Sequence, residues 1–408
     1  MKGRNKNKII NDPIYGFVNI DHGLINCIIN HAYFQRMRRI SQLGLSYLVY
    51  PGAHHSRFEH AIGSLYLMQK AINQIKRKGN TITLEEEEGV KIAILLHDIG
   101  HGPFSHALEK SIISNVTHEE MSMLFMHRLN KKFDGKLSLA IKIFTNKYHK
   151  KFLHQLVSSQ LDIDRLDYLK RDSFFTGVTE GNIGSERIIQ MLNVYNNNIV
   201  IEEKGIYSVE KFLIARRLMY WQVYLHKNVI AAEYMLIQLL KRAKELIKNN
   251  KITSPIIELN KFLQNNYKLE DFKSNDKLLE DFSRLDDIDI YTCIKSWSRD
   301  SDPVLSKMSN MILNRDLLKI NIKDKPFTKS EINFKISEIQ NFHKLSKDEI
   351  NFFVFSDKVS NNLYSQKKEK INILLKNNKI LDISGASDQF DMKSLNKEIN
   401  KYFICFPK

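Results

Sequence analysis

The run Ile92-Ala93-Ile94-Leu95-Leu96-His97-Asp98-Ile99-Gly100-His101-Gly102-Pro103-Phe104-Ser105-His106 decides how this chain is read. Its first five residues are apolar with no polar face, which means burial on all sides. Upstream, Glu85 to Glu88 favour a helix N-terminus, so the pattern predicts a helix over 84–100. An Asp at the polar end of a buried helix is costly unless it is paired, hydrogen-bonded or metal-bound. Adjacent helical residues point about 100° apart, yet His97 and Asp98 can both reach one ion placed off the helix end. His101 follows His97 by four residues and shares its side. Gly100 and Gly102-Pro103 turn the chain sharply and can return His106 to the same pocket.

Other residues of metal-ligand type lie on both sides of this run. His54, His55 and His60 precede it; His118, Asp162, Asp164 and Asp167 follow. A mixed His/Asp set suits a borderline divalent ion such as Mn, Fe, Ni or Zn better than Ca. Open positions on such an ion would acidify a water, and histidines beyond the ligands can serve as general acids near neutral pH. Taken singly, these residues keep blander readings. His54-His55 adjoins a Pro51-Gly52 turn and reads equally as loop. Asp162-x-Asp164-x-x-Asp167 reads equally as a solvated helix face. His22, His31, His127 and His149 read as structural.

Composition bounds the rest. The 408 residues suggest one large domain with an appendage. Hydrophobic residues at 43% and charged residues at 26% exclude wholesale disorder. With 16 Gly and 7 Pro, breakers are scarce, which favours long helices over a many-turned β fold. The net charge of +16 fits either an anionic partner (nucleotide, nucleic acid) or a Lys-, Asn- and Ile-rich composition. Cys27, Cys293 and Cys405 are far apart, which argues against a disulfide framework or a zinc knuckle and fits a reducing cytoplasm. No signal peptide is expected from the polar start, and no apolar run is long enough for a membrane span.

Residues 9–21 read as a short extended or hairpin element, and the spacing turns helical from Leu24 to about Leu43. Helices are expected at 58–77, 105–113, 118–132, 137–145, 152–158 and 162–172. A second hairpin is expected around Lys204-Gly205, followed by one long helical stretch at 209–248. Strand-like runs fall at 318–322, 351–355 and 402–406. The expected class is mainly α with small β hairpins: a helical domain over 1–250 and an α+β C-terminal subdomain over 251–408.

Several longer motifs recur in order: Phe34-Gln35-Arg36-Met37-Arg38, Gln42-Leu43-Gly44, Tyr50-Pro51-Gly52-Ala53, Ser56-Arg57-Phe58-Glu59-His60, the His97 to His106 run, Thr117-His118-Glu119-Glu120, and Asp162 to Asp172. Over about residues 10–245 the chain resembles the HD superfamily, specifically the SAM-and-HD-domain type of deoxynucleoside triphosphate triphosphohydrolase and its bacterial relatives, without a SAM domain. The resemblance implies an HD helical core with one main divalent metal (Mn, Fe, Ni, Zn or Mg) on His60, His97, Asp98 and Asp164. It implies catalytic roles for His101, His106, His118 and Glu109, with His106 as proton donor to the leaving oxygen. Arg57, Gln42, Leu43, Arg165, Tyr168, Asp172, Arg216 and Tyr224 fall on substrate-binding positions. Gln35, Arg38 and Lys227 fall on positions that bind an activating nucleotide.

The implied reaction is water attack on the α-phosphorus of a dNTP, releasing deoxynucleoside and inorganic triphosphate, by a cytoplasmic homo-oligomer, dimer or tetramer. The chain departs from the family pattern at Glu109 and Arg165, where the family often has Asp and Lys. Asn30 stands where activator-binding members carry an acidic residue, which does not favour guanine-specific activation. The competing expectations are an HD phosphohydrolase or phosphodiesterase for another nucleotide, and a nucleotide- or nucleic-acid-binding protein with weak catalysis.

Overall fold

A computed structural model describes residues 8–113, 116–343, 346–361, 370–387 and 399–408. Among these residues the fold is mainly α, with three small sheets. At its centre the helix Arg57–Arg77 packs against Leu84–Leu96 on one side and Ile163–Thr176 on another. Each starts where the sequence supplies a cap. Thr83 accepts from the Glu86 amide and Glu86 answers to the Thr83 amide. The Asp162 carboxylate accepts from the Arg165 amide at 2.8 Å. The Ile163–Thr176 helix stops at Gly177, which takes the left-handed conformation (φ 73°) that closes helices.

The first hairpin pairs Lys8–Asp12 with Gly16–Ile20, in register Lys8 with Ile20. The second pairs Leu192–Tyr195 with Asn198–Glu202. Its reversal lies at Asn196-Asn197 (φ 47° and 62°), not at Lys204-Gly205, which forms a short 3-10 turn. Two asparagines tolerate the paired positive φ that a tight hairpin needs, a signal the Lys-Gly reading passed over. The expected helix from Leu24 breaks into Leu24–Ile29 and Ala32–Gln35, because His31 turns extended and caps the second piece through Tyr33 N.

The expected 209–248 helix is also divided. Ile206–Met219 runs into a π turn at Tyr220–Tyr224, and Lys227–Lys248 starts afresh from an extended His226. At 351–355 the helix Lys347–Phe353 persists, and the strand begins only at Phe355. That strand, Phe355–Asn361, and Lys319–Lys323 flank the central Ile399–Phe406, both antiparallel.

One buried apolar cluster runs from Val18 to Cys405. Val200 to Glu202 pair in parallel with Asn372 to Leu374, which joins the last third of the chain to the second hairpin. Among the described residues, no helix is long and apolar enough to cross a membrane.

Candidate active site

Three elements deliver the ligand-type residues to one place. His60 comes from the first turn of Arg57–Arg77, His97 and Asp98 from the end of Leu84–Leu96, and Asp164 from the first turn of Ile163–Thr176. His60 Nε2 lies 3.3 Å from His97 Nε2 and 3.1 Å from Asp164 Oδ1, and His97 Nε2 lies 3.4 Å from the same oxygen. Asp98 closes the group at 3.4 Å from His97 Nε2 and 3.8 Å from His60 Nε2. Two imidazole nitrogens and a carboxylate oxygen facing one point are a donor set suited to a borderline divalent ion.

The far side of each ring is fixed, as metal-ligating histidines require. His60 Nδ1 meets Asp167 Oδ2 at 2.7 Å, and His97 Nδ1 meets the Ile94 carbonyl at 2.6 Å. The buried Asp167 carboxylate is clasped by Arg171 through Nε (2.9 Å) and Nη2 (3.0 Å), and Arg171 forms an ion pair with Asp12 of the first hairpin at 2.9 Å. Gly63 makes room for this cluster, since a Cβ there would sit 2.1 Å from both Arg171 Nη2 and Asp167 Oδ1.

The loop after His97 is equally constrained. A Cβ on Gly100 would meet the backbone of Ser122 and His118 at 2.2 and 2.3 Å. The Gly100 amide donates to Ser122 Oγ, and the Ser122 hydroxyl donates to the His97 carbonyl. Arg36, fully buried, donates to the carbonyls of Ile99 (2.9 Å) and His101 (2.8 Å).

The charges reinforce one another. Burial opposes a proton on His60, but the carboxylates of Asp164 and Asp167 override it and hold the imidazole up at about 10. His97 is also raised: burial opposes its proton, and Asp98 and Asp164 prevail. Burial works against charge on Asp98, yet His97 and Arg57 keep it ionised well below the usual carboxylate range. Burial, and then the nearby Arg57 guanidinium, lower His101 to about 3, so it is neutral. His118 is the opposite case: burial works against its proton, and the hydrogen bond to Glu109 (3.1 Å) raises it.

His101, Glu109 and His118 form a second group of ligand types with atoms within 4.8 Å of one another. The two rings stack at 3.9 Å with planes 17° apart. An ion lies in the plane of an imidazole that ligates it, and planes so nearly parallel do not converge within bonding distance. This pair therefore suits anion and proton handling better than a second metal.

The substrate-type residues divide. Asp172 accepts from the Tyr224 hydroxyl at 2.6 Å and meets His55 Nε2 at 2.8 Å. Tyr168 lies 6.5 Å, ring to ring, from His60 and 6.3 Å from Tyr224. Arg165 bonds Asp162, and Arg216 reaches Gln160 at 3.5 Å; in both the buried Nε has no partner among the described residues. The buried Gln42 Oε1 is likewise unpartnered, while Leu43 packs against the core. Arg57 bonds Asp98, one of the expected ligands.

Gln35 and Arg38 bond each other at 3.0 Å, whereas Lys227 lines a different cleft of about 240 Å³ with Arg315, Lys319 and Lys408. The His106 side chain lies outside the described residues. His54 is exposed against Tyr47, away from the cluster. The sequence reading set His55 among the ligand types or in a loop, and gave no role to Arg36, Arg171 or Asp12. Of these, only Arg171 carried a local signal, as the helical i+4 partner of Asp167.

Residues 57–172 match the HD domain and residues 183–265 the HD associated region. The crystal structure of a phosphohydrolase from Bacteroides thetaiotaomicron superposes with a TM-score of 0.95 at 50% identity, covering 99% of this chain and all of that one. The uncharacterized protein YwfO of Bacillus subtilis is 32% identical over 76% of this chain and 71% of its own length. The deoxynucleoside triphosphate triphosphohydrolase SAMHD1 homolog of Dictyostelium discoideum is 31% identical over 60% of this chain, which spans about half (51%) of that protein.

Proposed function

This chain belongs to the HD-domain phosphohydrolases, and from that premise we propose that it cleaves deoxynucleoside triphosphates to deoxynucleoside and inorganic triphosphate. The observation that carries the reading is a juxtaposition. The His60, His97 and Asp164 ligand atoms lie beside the Tyr168 ring, and that ring lies beside Tyr224 on Asp172. A metal-binding group next to an aromatic and acidic recess suits a substrate that joins phosphate to sugar. The relatives named as dNTP triphosphohydrolases support the same substrate class.

In this reading His60, His97, Asp98 and Asp164 would hold a divalent ion, which would supply Lewis-acid charge and a more acidic water. Arg57, Arg165 and Arg216 carry fixed positive charge toward the phosphate chain. His101, bonded to Asp98, and His118, whose proton the hydrogen bond to Glu109 favours, face the same side of the phosphate chain. Water attacks the α-phosphorus and releases a proton to solvent, the bond from phosphorus to the 5′ oxygen breaks, and His106 gives that oxygen its proton. Gln42 and Leu43 border the sugar; Asp172 accepts from its 3′-hydroxyl, and Tyr168 crowds the 2′ position. Gln35, Arg38 and Lys227 serve an activating nucleotide in a cytoplasmic dimer or tetramer.

The decisive experiment incubates purified protein with Mn or Mg and each dNTP, singly and in pairs, and identifies the inorganic product. Triphosphate with deoxynucleoside is expected. Pyrophosphate or orthophosphate instead moves the protein to another phosphohydrolase reaction, and no product from any dNTP sinks the reading. His106→Ala is expected to keep its metal and slow turnover by roughly 10²–10⁴-fold.

A further inference from the structure

The helix Asp287–Trp297 lies outside both family-matched regions, yet its first residue reaches the backbone beside Gln42 and the backbone just before His106. The Asp287 carboxylate is buried and accepts two backbone amides from opposite flanks. Oδ2 takes Ser41 N at 2.8 Å, next to Gln42, and Oδ1 takes Phe104 N at 2.9 Å, two residues before His106. Phe104 (φ 47°) and Ser105 (φ 21°) both sit in the left-handed region without being glycine. Such strain persists only where surrounding contacts over-determine it. Tyr291, one turn along the same helix, packs edge-on against the Phe104 ring at 5.7 Å. The residues just before Asp287 hold the same flank: Asp286 bonds Arg39, and the Leu285 carbonyl accepts from Arg36.

We infer that Asp287 is a positioning residue of the active site: its carboxylate ties the Gln42 loop to the loop that leads into His106, and so sets the spacing across the pocket. It lies outside the ligand-type group and acts through its contacts with Ser41 and Phe104. The inference rests on the reading of this pocket as a phosphohydrolase site. Asparagine has the same shape but one acceptor and one donor on its amide, so it can satisfy only one of the two flanks.

The test compares the wild type with Asp287→Asn and Asp287→Ala on dNTPs and on bis(p-nitrophenyl) phosphate, with bound Mn measured throughout. Asp287→Asn is expected to lower kcat on dNTPs by about ten- to a hundred-fold, the scale of a misplaced catalytic group, and to lower it less on the diester, whose p-nitrophenolate leaves without a proton donor. Mn occupancy should be unchanged. KM should rise for dNTPs, which carry a sugar, and stay level for the diester, which does not. Hydrogen exchange at the Ser41 and Phe104 amides should accelerate.

Wild-type kcat in Asp287→Asn overturns the inference, as does Mn lost in parallel with kcat, or unchanged exchange at both amides. Failure of the dNTP reading shows separately, as a wild type that releases no triphosphate; the diester and the exchange data then still decide Asp287. If Asp287→Ala does not fold, the isosteric asparagine carries the test.

Discussion

The Asp167 carboxylate meets His60 Nδ1 at 2.7 Å, on the side of the imidazole turned away from His97 and Asp164. This bond fixes which nitrogen faces the donor group and makes it a better ligand. Asp167→Asn is expected to weaken Mn binding by about 10–100-fold in equilibrium dialysis. Asp167→Ala also strips a carboxylate from buried Arg171 and should lose about 3–5 kcal/mol of stability. Unchanged Mn affinity in both variants would remove Asp167 from the site.

His97→Ala and Asp98→Ala should each abolish metal occupancy and turnover while far-ultraviolet circular dichroism stays helical. Elemental analysis of the purified variants reads the first effect directly. Full activity in both would falsify the ligand assignment.

Metal binding should release protons. In the metal-free site, burial opposes protonation of His60, but Asp164 and Asp167 hold it up at about 10. This folded value lies above the unfolded one of about 6.5. The stabilisation by protonated His60 is therefore complete below about 6.5 and lost as pH rises towards about 10. A metal must displace that proton, so affinity climbs with pH up to about 10. Calorimetry at pH 7 in two buffers of different ionisation enthalpy measures the release, and a value of zero contradicts the assignment.

Gly100→Ala should be severe for its size. The added methyl would meet backbone, Ser122 N at 2.2 Å and His118 O at 2.3 Å, which a rotamer change cannot relieve. A loss of about 1–3 kcal/mol or more is expected from overpacking, read as a lowered melting temperature. Metal affinity should fall with it, because His97 and Asp98 sit on the displaced loop. A variant as stable as the wild type would show that the loop and the His118–Lys132 helix separate freely.

The local parts of this site were legible in the sequence. The apolar run ending in His97-Asp98 and the turns at Gly100 and Gly102-Pro103 follow from short-range rules, and the helices Leu84–Leu96, His118–Lys132 and Ile163–Thr176 stand within a few residues of expectation. What escaped was long-range. Asp287 contacts Phe104 across 183 residues, and in its own neighbourhood it reads as an acidic first-turn residue after the Asp286 cap. His55 beside a Pro-Gly turn looks like loop until Asp172 is folded against it. Asp12 reads as a hairpin-turn residue, since its carboxylate also accepts the Ile14 and Tyr15 amides; its ion pair with Arg171 has no local signature.

The π turn at Tyr220–Tyr224 has an evolutionary consequence. Arg216 lies before it and Tyr224 at its end, so the extra residue in that turn sets the angle between the two side chains. Deleting one residue there would close the turn into ordinary helical spacing and remove the bulge that presents Tyr224, while the flanking helix keeps its course. The recess at Asp172 can thus be remodelled by a single-codon insertion or deletion while Arg216 and every ligand-type residue stay in place. Length variation in this short stretch, more than substitution, is where lineages of this chain have room to diverge in what they accept.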